Sequence, residues 1–157
     1  RWVDDVLVVS EDQVAEAMVF MLERAKLVVE GAGAVGVAAA LAGQLAGNQL
    51  KAITGTTAIV LSGGNVDAGL LAQITRRHET EAGRRLVTQV HLPDTPGALA
   101  GMLAVVADAG ANLLDVQHIR EGMNLHVRET LVQLVLETRG KDHAEAVSQA
   151  LSAAGYH

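Results

Sequence analysis

Cysteine is absent from all 157 residues, which excludes disulfides and thiolate-held metal. Aromatic side chains make up only 2% of the chain, so a core must be built from Ala, Val and Leu within a hydrophobic content of 50%. Basic residues are the minority: 12 Lys and Arg against 18 Asp and Glu leave a net charge of −6 and a pI of about 5.4. That balance argues against nucleic acid or an anionic membrane surface as a partner. Long apolar runs are missing too. The longest uncharged apolar run, Gly31–Gly43, is Gly-rich and falls short of the roughly 18–20 residues that span a bilayer. No secretory leader opens the chain, which begins Arg1-Trp2-Val3-Asp4-Asp5, so a cytoplasmic protein is expected. It also opens without Met, a first hint of a piece of something longer.

Periodicity supplies the elements. Val6–Val9 reads as a short strand, and Ser10 followed three residues later by Gln13 forms a capping box. Behind it Val14, Met18, Met21, Leu22 and Ala25 recur at helical spacing, predicting an amphipathic helix over 11–25. The Ala-rich segment from Gly31 to about Leu45 predicts a closely packed helix, and 47–55 a polar loop. Ala58-Ile59-Val60-Leu61 reads as a strand buried on both faces. It runs into Ser62-Gly63-Gly64, with Asn65 as the expected N-cap of a helix carrying Val66, Leu70, Leu71 and Ile74. The charged run 76–85 reads as turn-like and marks the domain boundary.

Beyond it, Leu86, Thr88, Val90 and Leu92 alternate with Val87, Gln89 and His91 as in a half-buried strand. Thr95 and Pro96 are placed to cap and open a helix with Leu99, Met102, Leu103 and Val106 on one face, closed by Gly110. Strands are expected over 113–119 and 127–138, the second central because Leu131–Leu136 is apolar on both sides. Asp142 is the expected cap of a last helix, with Val147, Ala150, Leu151 and Ala154 inward. The order β-α-β-β-α is one strand short of the split βαβ, ferredoxin-like unit, and Gly155-Tyr156-His157 stands where the fourth strand would begin.

Strand, glycine turn and helix at 58–66 is the place where α/β sheets put ligands. Gly63 and Gly64 let a flat or anionic ligand touch the backbone, and Ser62 offers a hydroxyl; an ordinary strand-to-helix turn reads the same way. Gly31-Ala32-Gly33-Ala34-Val35-Gly36 satisfies G-x-G-x-x-G, but a dinucleotide site wants an acidic residue about 20 positions on. The run 53–57 has none, and Glu30 would repel a pyrophosphate, so helix packing through small residues explains these glycines better. The six histidines (78, 91, 118, 126, 143, 157) show no metal-binding spacing. The three lysines, Lys26, Lys51 and Lys141, read as solvated charges.

Several runs together carry a family resemblance. Val3-Asp4-Asp5, the Ser10 capping box, Glu23 to Ala34 and Leu61-Ser62-Gly63-Gly64-Asn65 resemble the C-terminal part of a threonine dehydratase (threonine ammonia-lyase), a pyridoxal-phosphate enzyme of the tryptophan-synthase-β type. Leu92 to Ala100 and Gly110 to Val116 are similar to the ACT domain that many of these enzymes carry. The resemblance runs nearly end to end. It implies an α/β chain in two parts: residues 1–82 from the catalytic domain, and 83–157 an α+β, ferredoxin-like (βαββαβ) ACT domain lacking most of its last strand.

In this family a Ser or Thr in the place of Ser62 bonds the cofactor's pyridine nitrogen. Gly63 and Gly64 would let the backbone pass the ring, and Glu30 would lie at the cofactor's edge. The implied reaction takes the Cα proton and then water from L-threonine, and by the same chemistry from L-serine; threonine yields 2-oxobutanoate and ammonia. The ACT part implies an effector such as valine or isoleucine at Gly97, Ala98, Leu99 and Asn112, and a homo-oligomer. Gly97 opens a helix whose N–H groups suit a carboxylate; a simple helix-start turn reads the same way. No metal, nucleic acid or membrane partner is implied. The family's Schiff-base lysine motif and phosphate-cradling glycine run have no counterpart here, so the chain resembles a C-terminal fragment with no catalytic residue of its own. The alternative is a non-enzymatic ACT-type amino-acid-binding module. Borohydride reduction of the chain with pyridoxal phosphate, mapped by mass spectrometry, should find no stoichiometric adduct at Lys26, Lys51 or Lys141; one saturable lysine with dehydratase turnover would refute the fragment reading.

Overall fold

The computed structural model describes Val3 and residues 6–47, 55–119 and 129–157. Asp4, Asp5, Lys51, His126 and the Val127 start of the last expected strand lie outside them. By internal contacts the chain divides into Arg1–His78 and Glu79–His157.

In the first unit, Ser10 caps α1 (Glu11–Phe20) as its sequence requires. The Gln13 N–H donates to Ser10 Oγ at 3.2 Å and the Ser10 N–H to Gln13 Oε1 at 2.8 Å. The helix continues as a π-helical turn, Met21–Ala25, and Lys26 stops it in the left-handed region at φ 60. There Lys26 Nζ donates to the Glu23 carbonyl at 2.8 Å, a capping role for a side chain expected only to be solvated. Helix α2 (Gly31–Leu41) packs Ala34, Val37 and Ala38 against Ala17, Met18 and Met21 of the first helical segment. A short α3 (Gln44–Gly47) follows, then α4 (Ala68–Glu81).

Four expectations change here. Val6–Val9 and Ala58–Leu61 are extended but are not strands; Val60, expected to be buried, is 84% exposed, and Val6 and Val8 are 77% and 81% exposed. An apolar run becomes a strand only beside a second run that pairs with it, and no ladder forms among the described residues of this unit. The cap of α4 is Asp67, whose Oδ1 accepts the Leu70 N–H at 2.9 Å, not Asn65. Finally, α4 runs through the charged stretch to Glu81, because nothing from Arg76 to Glu81 breaks a helix until Gly83, at φ 69.

The second unit is β1 (Arg85–Pro93), α5 (Ala98–Asp108), β2 (Asn112–Ile119), β3 (Glu129–Glu137) and α6 (Lys141–Ala153). Its three-stranded sheet has the order β1-β3-β2, antiparallel throughout, so the apolar β3 is central as its pattern predicts. Register sets Val90 beside Val132, Thr88 beside Leu134 and Leu86 beside Leu136. That face packs on Met102 and Val106 of α5 and on Val147 and Leu151 of α6. Beyond α6 the His91 N–H donates to the His157 carbonyl at 2.9 Å, so the expected start of a fourth strand lies along β1.

Neither helix has the expected cap. Gly97, at φ 89, and Gly140 hold the N-cap positions of α5 and α6, while Thr95 lies in the preceding turn and Asp142 in the first turn of α6. His143 is half-buried. Its Nδ1 accepts the Arg139 N–H at 3.0 Å and its Nε2 lies 2.9 Å from the Ala109 carbonyl, which fixes the proton on Nε2 and ties the start of α6 to the end of α5. Leu134 is fully buried at the centre of the sheet. Leu134→Ala should lower the unfolding free energy by about 2–5 kcal/mol, read from urea denaturation with the slope unchanged.

Candidate functional site

The residues singled out in the first unit come together across more than thirty positions of sequence. Glu30 stands in the extended conformation before α2, and its N–H donates to the Gly63 carbonyl at 3.2 Å. Its own carbonyl accepts the Ala34 N–H at 3.0 Å, starting the helix. Its carboxylate lies against the α-carbon of Gly63, where any Cβ would overlap it. Gly63 also has φ 80, a conformation that side chains other than hydrogen disfavour, so two independent constraints require glycine there. Gly64 stands over the Val28 carbonyl, where an added Cβ would sit at 3.4 Å, and its own carbonyl accepts the Val66 N–H at 2.9 Å.

Ser62 is exposed, and its hydroxyl has no partner among the described residues. A neutral donor and acceptor beside two bare glycines, with a carboxylate held alongside, suits a flat heteroaromatic ligand with a ring nitrogen. The GxGxxG glycines serve packing, as expected: Gly33 faces the Ser62 carbonyl and Gly36 faces Ile59.

An open, mostly apolar groove of about 710 Å³ lies elsewhere in this unit, among Val8, Val14, Val35, Leu70 and Ile74. The Asp12–Arg77 ion pair, at 2.9 Å, also lines it, but Glu30, Ser62, Gly63 and Gly64 do not. Among the described residues no cluster of His, Asp or Glu is placed to hold a metal ion, and no helix is long and apolar enough to cross a membrane.

In the second unit the expected effector residues separate. Space is open around Gly97, where an added Cβ would meet nothing within 4 Å. The Ala98 N–H is already spent on the Thr95 carbonyl at 3.2 Å, so the helix start offers fewer free donors than its sequence suggests. Asn112 pairs across the sheet with Glu137, its Nδ2 donating to Oε2 at 3.2 Å. It lies at the far end of α5 from Gly97, and the 11-residue helix is about 16 Å long. One amino acid cannot touch both within a single chain.

No protein-family model matches the chain. Curated relatives do. The chain is 39% identical over 156 residues to an L-threonine ammonia-lyase of Thermotoga maritima, covering 99% of this chain and 37% of that protein. It is 42% identical over 154 residues to an L-threonine ammonia-lyase of Geobacter sulfurreducens, covering 98% and 37%. A shorter similarity, 44% over 73 residues, joins it to the catabolic L-threonine dehydratase of Escherichia coli, covering 46% and 21%. The chain therefore spans little more than a third of the two relatives that match it end to end, and the match falls on their C-terminal part.

Proposed function

We propose that this chain, similar along nearly its whole length to the C-terminal part of threonine ammonia-lyases, completes the cofactor site of such an enzyme and carries its regulatory domain. The observation that carries the reading is the meeting of Glu30 with Ser62-Gly63-Gly64, two segments distant in sequence that converge on one unpartnered hydroxyl. The exposed apolar surface agrees with it. Val6, Val8, Leu27, Val28, Val60 and Leu70 are between 47% and 84% exposed in the first unit, as expected of a surface that packs against more protein.

Pyridoxal phosphate, when bound, supplies the electron sink that allows L-threonine or L-serine to lose its Cα proton and then its β-hydroxyl. The residues of this chain do the positioning. Ser62 Oγ would hold the ring nitrogen, and a neutral hydroxyl there would not require that nitrogen to be protonated, which would suffice where the substrate brings its own leaving group. Gly63 and Gly64 keep side chains off the ring. Glu30, whose N–H is held by the Gly63 carbonyl, would present its carboxylate at the cofactor's edge. The covalent lysine and the phosphate cradle come from protein with no counterpart in these 157 residues, so the chain alone does not turn over substrate.

The second unit is the ACT domain, taking a small amino acid such as valine or isoleucine. With Gly97 and Asn112 at opposite ends of α5, an effector that uses both must bridge two copies, which links its binding to homo-oligomer assembly. The enzyme works in the cytoplasm.

The first test is Ser62→Ala in the full-length enzyme. Loss of the ring-nitrogen partner should weaken cofactor binding by about 1–3 kcal/mol and slow elimination; unchanged affinity and turnover would make Ser62 an ordinary turn residue. The second concerns the effector. Gly97→Val forces a branched residue into φ 89 and fills the open space, and Asn112→Ala removes a polar partner. Each should abolish the response to valine or isoleucine while basal activity persists. Calorimetry and sedimentation with a panel of amino acids check this; no binding heat and no change in mass would refute it.

A further inference from the structure

We infer that Gly33 is a positioning residue of the cofactor site: the face of α2 that it leaves bare is the surface on which the Ser62 carbonyl rests, so the helix sets where the Ser62 hydroxyl stands. The inference depends on the cofactor reading above, but its evidence is separate. A Cβ on Gly33 would overlap the Ser62 carbonyl oxygen, and it would lie 2.9 Å from the Ser62 carbonyl carbon and 2.8 Å from Val29 Cγ1. One turn later a Cβ on Gly36 would lie 2.7 Å from Ile59 Cγ2. Positions three apart share one face of a helix, so the two glycines form a bare strip against the stretch from Ile59 to Ser62.

Conformation does not explain these glycines. Gly33 lies inside a regular helix, where alanine has the higher propensity and glycine is the costlier choice. Contact does explain Gly33. Two of the three atoms nearest its missing Cβ belong to the Ser62 backbone, which cannot rotate aside as a side chain can. Gly31 supplies the contrast on the same helix: a Cβ there would meet Val14 Cγ1 at 3.5 Å, ordinary van der Waals contact.

An alanine at 33 therefore pushes on the Ser62–Gly63 peptide. The push is transmitted, because the next carbonyl, that of Gly63, is the one that accepts the Glu30 N–H. Gly33 never needs to touch the cofactor to act on it. It moves the hydroxyl meant for the ring nitrogen and the carboxylate meant for the ring edge together.

The test compares Gly33→Ala with Gly31→Ala. In the 157-residue chain the readout is amide exchange at Glu30; in the full-length enzyme it is pyridoxal-phosphate affinity and the absorption maximum of the bound cofactor. Gly33→Ala should lose protection at the Glu30 amide, weaken the cofactor on the order of tenfold, as for one lost hydrogen bond, and shift the absorption maximum. Gly31→Ala should do none of these. If the single variant does not fold, Val29→Ala/Gly33→Ala removes the side-chain part of the overlap, keeps the clash with Ser62, and is held to the same outcomes. Retained Glu30 protection, or unchanged affinity and spectrum, overturns the inference. A failure of the cofactor reading itself looks different: Ser62→Ala would then leave cofactor affinity unchanged while Gly33→Ala still disturbed the Glu30 amide.

Discussion

Helix α2 carries a strip with no side chains, and another stretch of backbone lies directly upon it. Backbone against backbone is the closest approach two segments can make, and it requires glycine at the point of contact. Here Gly33 meets the Ser62 carbonyl in that way, while Gly36 leaves room for the Ile59 side chain and Gly63 for the Glu30 carboxylate. The single hydrogen bond from the Glu30 N–H to the Gly63 carbonyl then fixes the two segments in register. Ser62, Gly63 and Glu30 are neighbours because of this contact. Elsewhere on α2, Ala34, Val37 and Ala38 pack against Met18 and Met21.

The second unit is held differently. Its organising element is β3, which pairs on both sides and presents Val132, Leu134 and Leu136 to two helices. With so few aromatic residues, that core depends on aliphatic side chains in close layers. Backbone groups at the helix ends are then satisfied by less usual means. His143 spans from the Arg139 N–H to the Ala109 carbonyl, and the Thr138 hydroxyl donates to the Gly83 carbonyl at 2.6 Å beneath the start of α6.

The two units also differ in how well they cover themselves. Among the described residues, most of the exposed large apolar side chains belong to the first unit, whereas the second leaves only Val87 and Leu114 in that state. The difference lies at the surface, since each unit has a buried cluster of its own.

Local pattern alone determined much of the fold. The Ser10 capping box, the helix after it, the alternation along β1 and the two-sided apolar character of β3 are read from spacing, because each depends on residues within one or two turns of each other. The resemblance to threonine dehydratases was equally legible, since it rests on runs of residues in order. What needed the tertiary structure was every feature set by a distant partner. Val6–Val9 and Ala58–Leu61 have strand composition but no ladder to join among the described residues, so they stay extended, with Val6, Val8 and Val60 exposed. Caps moved from Asn65 to Asp67 and from Thr95 to Gly97, because which oxygen meets a free N–H is decided by the path of the chain into the helix. Asn112 is expected to be open to an effector, yet its side-chain amide is held across the sheet by the Glu137 carboxylate, a partner 25 positions away. Spacing identifies Gly33 only as a packing residue; the carbonyl it accommodates belongs to Ser62, 29 positions away, and no local pattern carries that.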